Sequence, residues 1–169
     1  GAGKTHIGMD LARMFGADFL RVEKIWQDMS PDKMEFDSPA FMAEGIRRTL
    51  VAVSERLARH NAIILESSGA FDLFPDYLTA LRAMGRVCLV SVRAPIDQCL
   101  LRIRTRDQSL HVPVPEDDIV KLNQRSERTE MEWDIVISNH PFISSDELKK
   151  IFSPFLIIPR AIGERDAQS

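Results

Sequence analysis

Residues 1–12, GAGKTHIGMDLA, decide how the rest of the chain is read. Gly3, Lys4 and Thr5 match the closing residues of the phosphate-binding pattern G-x-x-x-x-G-K-[ST]. Ile7, Leu11 and Met14 then recur at i, i+4 and i+7, which predicts a helix over 5–15 ended by Gly16. Lys4 therefore stands at a helix start, where free backbone N–H groups and the helix dipole converge on an anion. Glycines at 1 and 3 let the backbone approach phosphate closely. In that role Lys4 contacts the β- and γ-phosphates of a nucleotide and Thr5 ligates Mg²⁺. The upstream glycine of the pattern, and the strand before it, would fall ahead of residue 1.

The 169 residues suffice for one compact domain with a proper core. At 44% hydrophobic and 28% charged, the composition is that of an ordinary soluble globular chain. Lysine and arginine total 22 against 25 acidic residues, a net charge of −3, which argues against a broad footprint for nucleic acid. No apolar run approaches the ~20 residues of a membrane span, so no membrane partner is expected. Cys88 and Cys99 lie in apolar surroundings without metal-type spacing and read as reduced core thiols of a cytoplasmic protein. His6, His60, His111 and His140 are scattered, so no structural metal is expected.

Beyond the first helix, short apolar runs alternate with longer helical patterns, the rhythm of an α/β domain with a parallel sheet. A short strand around 19–22 is followed by a loop through Ser30-Pro31. Ser38-Pro39 is a helix cap with proline at the first helical position, opening a long helix that ends before Asn61. AIILE (62–66) is the clearest strand, VCLVSV (87–92) is the next and WDIVIS (133–138) the last. The first two are continuously apolar, as expected for parallel strands covered on both faces. Helices are predicted at about 73–84, from Ala94-Pro95 to about 106, over IVKLNQRSE, and in SSDELKKIFSPF.

Two further features bear on chemistry. AIILE ends on Glu66, placing a carboxylate at a strand end, where a nucleotide site needs an acidic residue near its metal. Ser67, Ser68 and Gly69 follow as a tight turn able to meet a substrate. In LLRIRTRDQSLHVPVPEDD, Arg102 and Arg106 share a helix face while Arg104 points elsewhere, and Arg125 and Arg128 follow on the next helix. Arginines flanking a proline-bearing polar loop suit a lid that closes over a transferring phosphoryl group.

With GAGKT, LESSG, RIRTRD and WDIVISN in this order, the chain resembles the small P-loop kinases. That group is nucleoside-monophosphate-kinase-like and includes shikimate kinases, gluconate kinases and AAA-type predicted kinases. The resemblance implies a three-layer α/β/α P-loop NTPase fold, with residues 1–169 as a single domain. The group's sheet is parallel, in the order 2-3-1-4-5, and its central first strand is expected to be missing from this chain. Such a sheet would open at its middle, and each buried backbone group left unpaired there would cost about 1–3 kcal/mol, so low stability is expected.

The resemblance further implies ATP and Mg²⁺ as cofactors. Gly1, Ala2, Gly3, Lys4, Thr5, His6 and Arg102 would bind the phosphates, and Thr5 and Glu66 would hold the metal. Asn139 and Pro141, within Ser138–Pro141, would lie beside adenine. The acceptor would sit in the region of about 23–60, against Glu23, Arg48, Ser67, Ser68, Gly69 and Arg125, under a lid of about 102–128. Lys4, Glu23, Arg102 and Arg106 would be catalytic, with Glu23 as general base, Asp28 its rival, and Arg47 an alternative to Arg48. The turns RVEKIW and ESSGA depart from the paired aspartates and GGG turn of shikimate kinases, and no asparagine-lysine-x-aspartate guanine motif is present. The expected activity is transfer of the γ-phosphate of ATP to a small-molecule acceptor. A regulatory or switch ATPase, or a kinase of nucleic-acid 5′ ends, would use the same opening motif.

Overall fold

The computed structural model describes residues 1–29, 38–69, 71–105, 115–128 and 131–155. Helix α1 (Lys4–Phe15) buries Ile7 and Leu11, the positions the periodicity marks, and stops at Gly16 in the left-handed conformation at φ 64°. Strand β1 (Asp18–Leu20) follows. Where the sequence reading runs a loop toward Ser38, the chain forms a further helix, α2 (Val22–Met29). Val22, Ile25, Trp26 and Met29 fall at i, i+3, i+4 and i+7, so one face of α2 is apolar.

Helix α3 (Pro39–Leu57) begins as its sequence dictates: the Ser38 hydroxyl accepts the Phe41 N–H at 3.1 Å, with proline at the first helical position. Then come β2 (Ile63–Leu65), α4 (Phe74–Met84), β3 (Val90–Arg93), α5 (Ile96–Thr105) and α6 (Glu116–Arg128). The described chain closes with β4 (Ile135–Ser138) and α7 (Ser145–Phe152). A capping box starts α7: the Glu147 N–H donates to Ser144 Oγ, and the Ser144 N–H donates to the Glu147 carboxylate at 3.0 Å.

Strands β1 and β2 pair in parallel with Asp18 opposite Ile63, and β3 and β4 pair in parallel with Val90 opposite Ile135. Among the described residues these are two separate two-stranded sheets. They agree with the two outer pairs of the order 2-3-1-4-5. A cavity of about 720 Å³ lies between them, lined by Ile64 and Val90 from the strands and by Ile7, Leu11, Leu78 and Phe152 from the helices.

One apolar cluster unites Ile7, Leu11, Ile135, Ile137, Leu148 and Phe152, fixing α1 and α7 against β4. A second unites Phe74, Tyr77, Leu78 and Leu89. Burying such a side chain fully is worth about 1.5–3 kcal/mol. An aromatic group joins α2 to this second region: Trp26 meets Phe41 and Phe71 edge-on at centroid distances of 5.9 and 6.4 Å. The indole packs so closely on α3 that a Cβ at Gly45 would come within 2.8 Å of it.

Strands β3 and β4 start later than the sequence suggests. The Asp134 carboxylate accepts the Leu89 N–H at 2.7 Å, and the Leu89 carbonyl accepts the Asp134 and Ile135 N–H groups, so a side chain closes this edge before the ladder begins. Cys88 therefore precedes the strand and is exposed, against the expectation of a core thiol, whereas Cys99 is buried. No described helix is long and apolar enough to cross a membrane.

The Asp18 carboxylate of β1 is paired with Arg56 of α3. Burial alone would raise the Asp18 pKa, but the Arg56 hydrogen bond and charge outweigh it and hold the group below its ordinary 3.8. A carboxylate depressed in the folded state stabilises above its unfolded pKa, and that contribution is lost as pH falls through the folded value. Below about pH 4, Asp18→Asn should therefore lose stability less steeply than the parent, the difference reaching about 0.5–1 kcal/mol in this half-exposed pair. Urea unfolding at pH 7 and pH 2.5 measures it. Equal acid losses in the two proteins would show that the pair contributes nothing.

Candidate active site

The site is built on the first turn of α1. Gly3 holds φ 96° and ψ 18°, a left-handed conformation that L side chains rarely adopt. A Cβ there would also stand 2.3 Å from the Asn139 amide nitrogen, so both backbone angle and space require glycine. The Gly3 carbonyl accepts the Ile7 N–H at 3.0 Å, starting the helix. Lys4 is exposed at the helix start, while Thr5 turns inward.

The Thr5 hydroxyl donates to the Glu66 carboxylate at 2.5 Å across 61 residues of sequence. The two residues read as metal ligands therefore stand together, one from α1 and one just after β2. Because the hydroxyl proton is committed to Glu66, the lone pairs of the Thr5 oxygen remain for another partner. Lys4, Glu66, Ser67, Ser68 and Gly69 line the same cavity that separates the sheets. The turn is tight: Ser67 Oγ accepts the Gly69 N–H at 3.1 Å, and Gly69 takes φ 65°. Lys4, Thr5, Glu66, Ser67, Ser68 and Gly69 are thus brought to one place.

The arginines divide. Arg102 of α5 turns toward the backbone ahead of α1: its guanidinium donates to the Asn139 carbonyl at 2.8 Å and to the Gly1 carbonyl at 3.4 Å. It also lies over the Phe142 ring, 4.1 Å from the centroid. Arg104 points elsewhere, as its spacing suggests, and forms two 2.6 Å hydrogen bonds with Glu116, tying α5 to α6. Arg106 lies outside the described residues. Arg125 pairs with Asp72, just beyond the Ser67–Gly69 turn.

The remaining expected residues are more dispersed. Glu23 is half-buried in the first turn of α2, its carboxylate 3.5 Å from Arg21. Its rival Asp28 is exposed and paired with Lys24 at 2.6 Å. Arg47 and Arg48 both grip Glu44 at 2.7 Å on the outer face of α3. Their hydrogen bonds, Arg47 first and Arg48 second, hold the Glu44 carboxyl down to about 2. Arg48 is thereby engaged within its own helix. His6 is exposed, 3.5 Å from Asp10.

Asn139 is only 1% exposed, and its side chain donates to the Ala2 carbonyl at 2.8 Å. Pro141 and Phe142 stand exposed beyond it. The contact of Asn139 with Ala2, and the stacking of Phe142 under Arg102, escape sequence reasoning. The available signal was an aromatic residue directly after the loop that closes the last strand.

No family model and no curated protein sequence matches this chain. Solved structures do. An unliganded sugar kinase from Janibacter sp. HTCC2649 is similar at a TM-score of 0.68 and 17% identity, over 94% of this chain and 90% of that one. A shikimate kinase from Aquifex aeolicus gives 0.57 and 19%, over 90% and 89%. The APS kinase of Mycobacterium tuberculosis, in complex with AMPPNP and APS, gives 0.59 and 17%, over 90% of each chain. These likenesses show the fold: the chain has the α/β architecture of the small P-loop kinases.

Proposed function

We propose that this protein is a cytoplasmic phosphotransferase that moves the γ-phosphate of MgATP to a hydroxyl or phosphate of a small-molecule acceptor. The observation that carries the reading is the Thr5–Glu66 hydrogen bond beside Lys4, at the start of a helix whose preceding glycine is left-handed. A hydroxyl and a carboxylate are the oxygen donors that Mg²⁺ prefers, so the pair fits that ion. The ion, when bound, would neutralise charge on the phosphate oxygens. Backbone N–H groups at Gly3 and after it, together with Lys4, fit a polyphosphate.

The protein's own work in such a reaction is positioning and charge stabilisation. Lys4 neutralises the transferring phosphoryl group. The Ser67–Gly69 turn receives the acceptor, and Glu23 takes its proton. Arg48 and Arg125 can bind an acidic acceptor only by exchanging Glu44 and Asp72 for it.

The test is ADP formation with MgATP across a panel of sugars, hydroxy acids, nucleosides and nucleoside monophosphates. One chemical class should raise ADP formation at least tenfold above the acceptor-free rate. A rate that no acceptor changes, but a protein partner raises, would make the chain a regulatory ATPase. Phosphorylation of oligonucleotide 5′ ends, with binding that weakens steeply in salt, would make it a nucleic-acid kinase.

A further inference from the structure

The loop 1–3 faces a geometric demand that Lys4 and Thr5 do not meet. For backbone N–H groups to converge on an anion, the carbonyls of the same peptides must point away from it. Carbonyls turned into the protein then need donors there. The peptide unit is planar, so fixing the Ala2 oxygen fixes the direction of the Gly3 N–H, and fixing the Gly1 oxygen fixes that of the Ala2 N–H. Both oxygens are held. Asn139 Nδ2 donates to the Ala2 carbonyl at 2.8 Å, and Arg102 donates to the Gly1 carbonyl at 3.4 Å.

Asn139 is itself anchored on every side. Its backbone N–H donates to the Arg93 carbonyl at the end of β3 at 2.7 Å, and its backbone carbonyl accepts from Arg102 at 2.8 Å. Its Oδ1 accepts the Ile143 N–H at 3.2 Å. That last bond decides which way the amide lies. A flipped amide would set oxygen against the Ala2 carbonyl and NH₂ against the Ile143 N–H, losing both hydrogen bonds. A residue with a donor on one side and an acceptor on the other is required, in a site that water does not reach.

We propose that Asn139 is a positioning residue for phosphate binding: with Arg102 as a second arm, it aims the N–H groups of the loop by holding its carbonyls. This rests on the reading of residues 1–5 as a nucleotide phosphate site. The clamp joins that loop to the end of β3, to α5 and to the segment leading into α7. Asn139 thus serves the nucleotide without touching it.

The near-isosteric Asn139→Asp separates positioning from mere support, because its carboxyl can donate an O–H to the Ala2 carbonyl only when protonated. Burial against a carbonyl raises the pKa of such a group. MgATP affinity, measured by titration from pH 5.5 to 8.5, should lie within threefold of the parent at the acid end and at least tenfold below it at the alkaline end. In ¹⁵N-labelled free Asn139→Asp, the Gly3 amide resonance should titrate over the same range. A structural role alone would lower the unfolding midpoint without this pH-linked change in affinity. Arg102→Met, at a half-buried site, should weaken MgATP about threefold to tenfold and covers the case in which Asn139→Asp does not fold.

An unmoved Gly3 amide with an affinity that parallels the parent at every pH would overturn the clamp. So would Arg102→Met binding MgATP as the parent does, if Asn139→Asp fails to fold. A parent that binds no MgATP while the Gly3 amide of Asn139→Asp still titrates would overturn the nucleotide reading instead.

Discussion

Lys4→Ala is expected to lower the rate of phosphoryl transfer about 100- to 1000-fold, the usual loss when one charge-stabilising group is removed from a transition state. The same variant should lose most of its stabilisation by MgATP. A ligand at about 100 times its dissociation constant stabilises a folded protein by about 2.7 kcal/mol, and thermal unfolding with and without MgATP reads that difference directly. Lys4 is exposed at the start of α1, and alanine is the best helix former, so the variant should fold like the parent without ligand. The comparison is therefore between two folded proteins. A Lys4→Ala protein that keeps its MgATP shift would remove the lysine from the phosphate site.

The second large effect is on the fold. Leu148 of α7 is 1% exposed, in the cluster that also holds Ile7 and Leu11 of α1 and Ile137 of β4. Leu148→Ala removes buried carbons and leaves a cavity, which costs about 2–5 kcal/mol. At about 2–4 °C per kcal/mol for a domain of this size, the unfolding midpoint should fall by roughly 4–20 °C. Leu101→Ala, at a position 53% exposed, is the control and should change stability by less than about 0.5 kcal/mol. A Leu148 variant no less stable than this control would mean that the packing of α7 on α1 contributes little. Because α1 carries Lys4 and Thr5, the same substitution should loosen the site that it does not touch.

The fold was legible where one local cause dominated. Ser38-Pro39 names a helix start, Gly16 names a helix end, and Ser144 with Glu147 writes a capping box, each needing only its own neighbours. Helix α2 carries its apolar spacing in the sequence too, but eight residues barely exceed two turns, and Glu23, Lys24, Gln27 and Asp28 dilute the pattern. The late starts of β3 and β4 depend on Asp134 meeting Leu89 across 45 residues, which no local pattern records.

The site divides in the same way. Lys4, Thr5 and Glu66 follow from motif and strand end, and the structure joins them. The orientation of Asn139 depends on contacts with Ala2, Arg93, Arg102 and Ile143 together, and spacing along the chain encodes none of them. Pairings such as Arg48 with Glu44 are set by helix geometry at i and i+4, and could have been anticipated from the sequence.

The packing of Trp26 has an optical consequence. Its indole sits edge-on to Phe41 and Phe71, and its N–H has no hydrogen-bond partner among the described residues. With that N–H shielded from solvent in a partly buried ring, the indole should emit at shorter wavelength than an exposed one. Trp133 is the chain's other tryptophan, and replacing it with phenylalanine would leave Trp26 as the only such emitter. Trp26 stands between α3 and the segment after the Ser67–Gly69 turn, where a compound entering that turn would disturb its surroundings. The protein thus carries an intrinsic fluorophore near the Ser67–Gly69 turn, and if that turn receives the acceptor as proposed, candidate acceptors can be screened by the colour and intensity of its light before any product is measured.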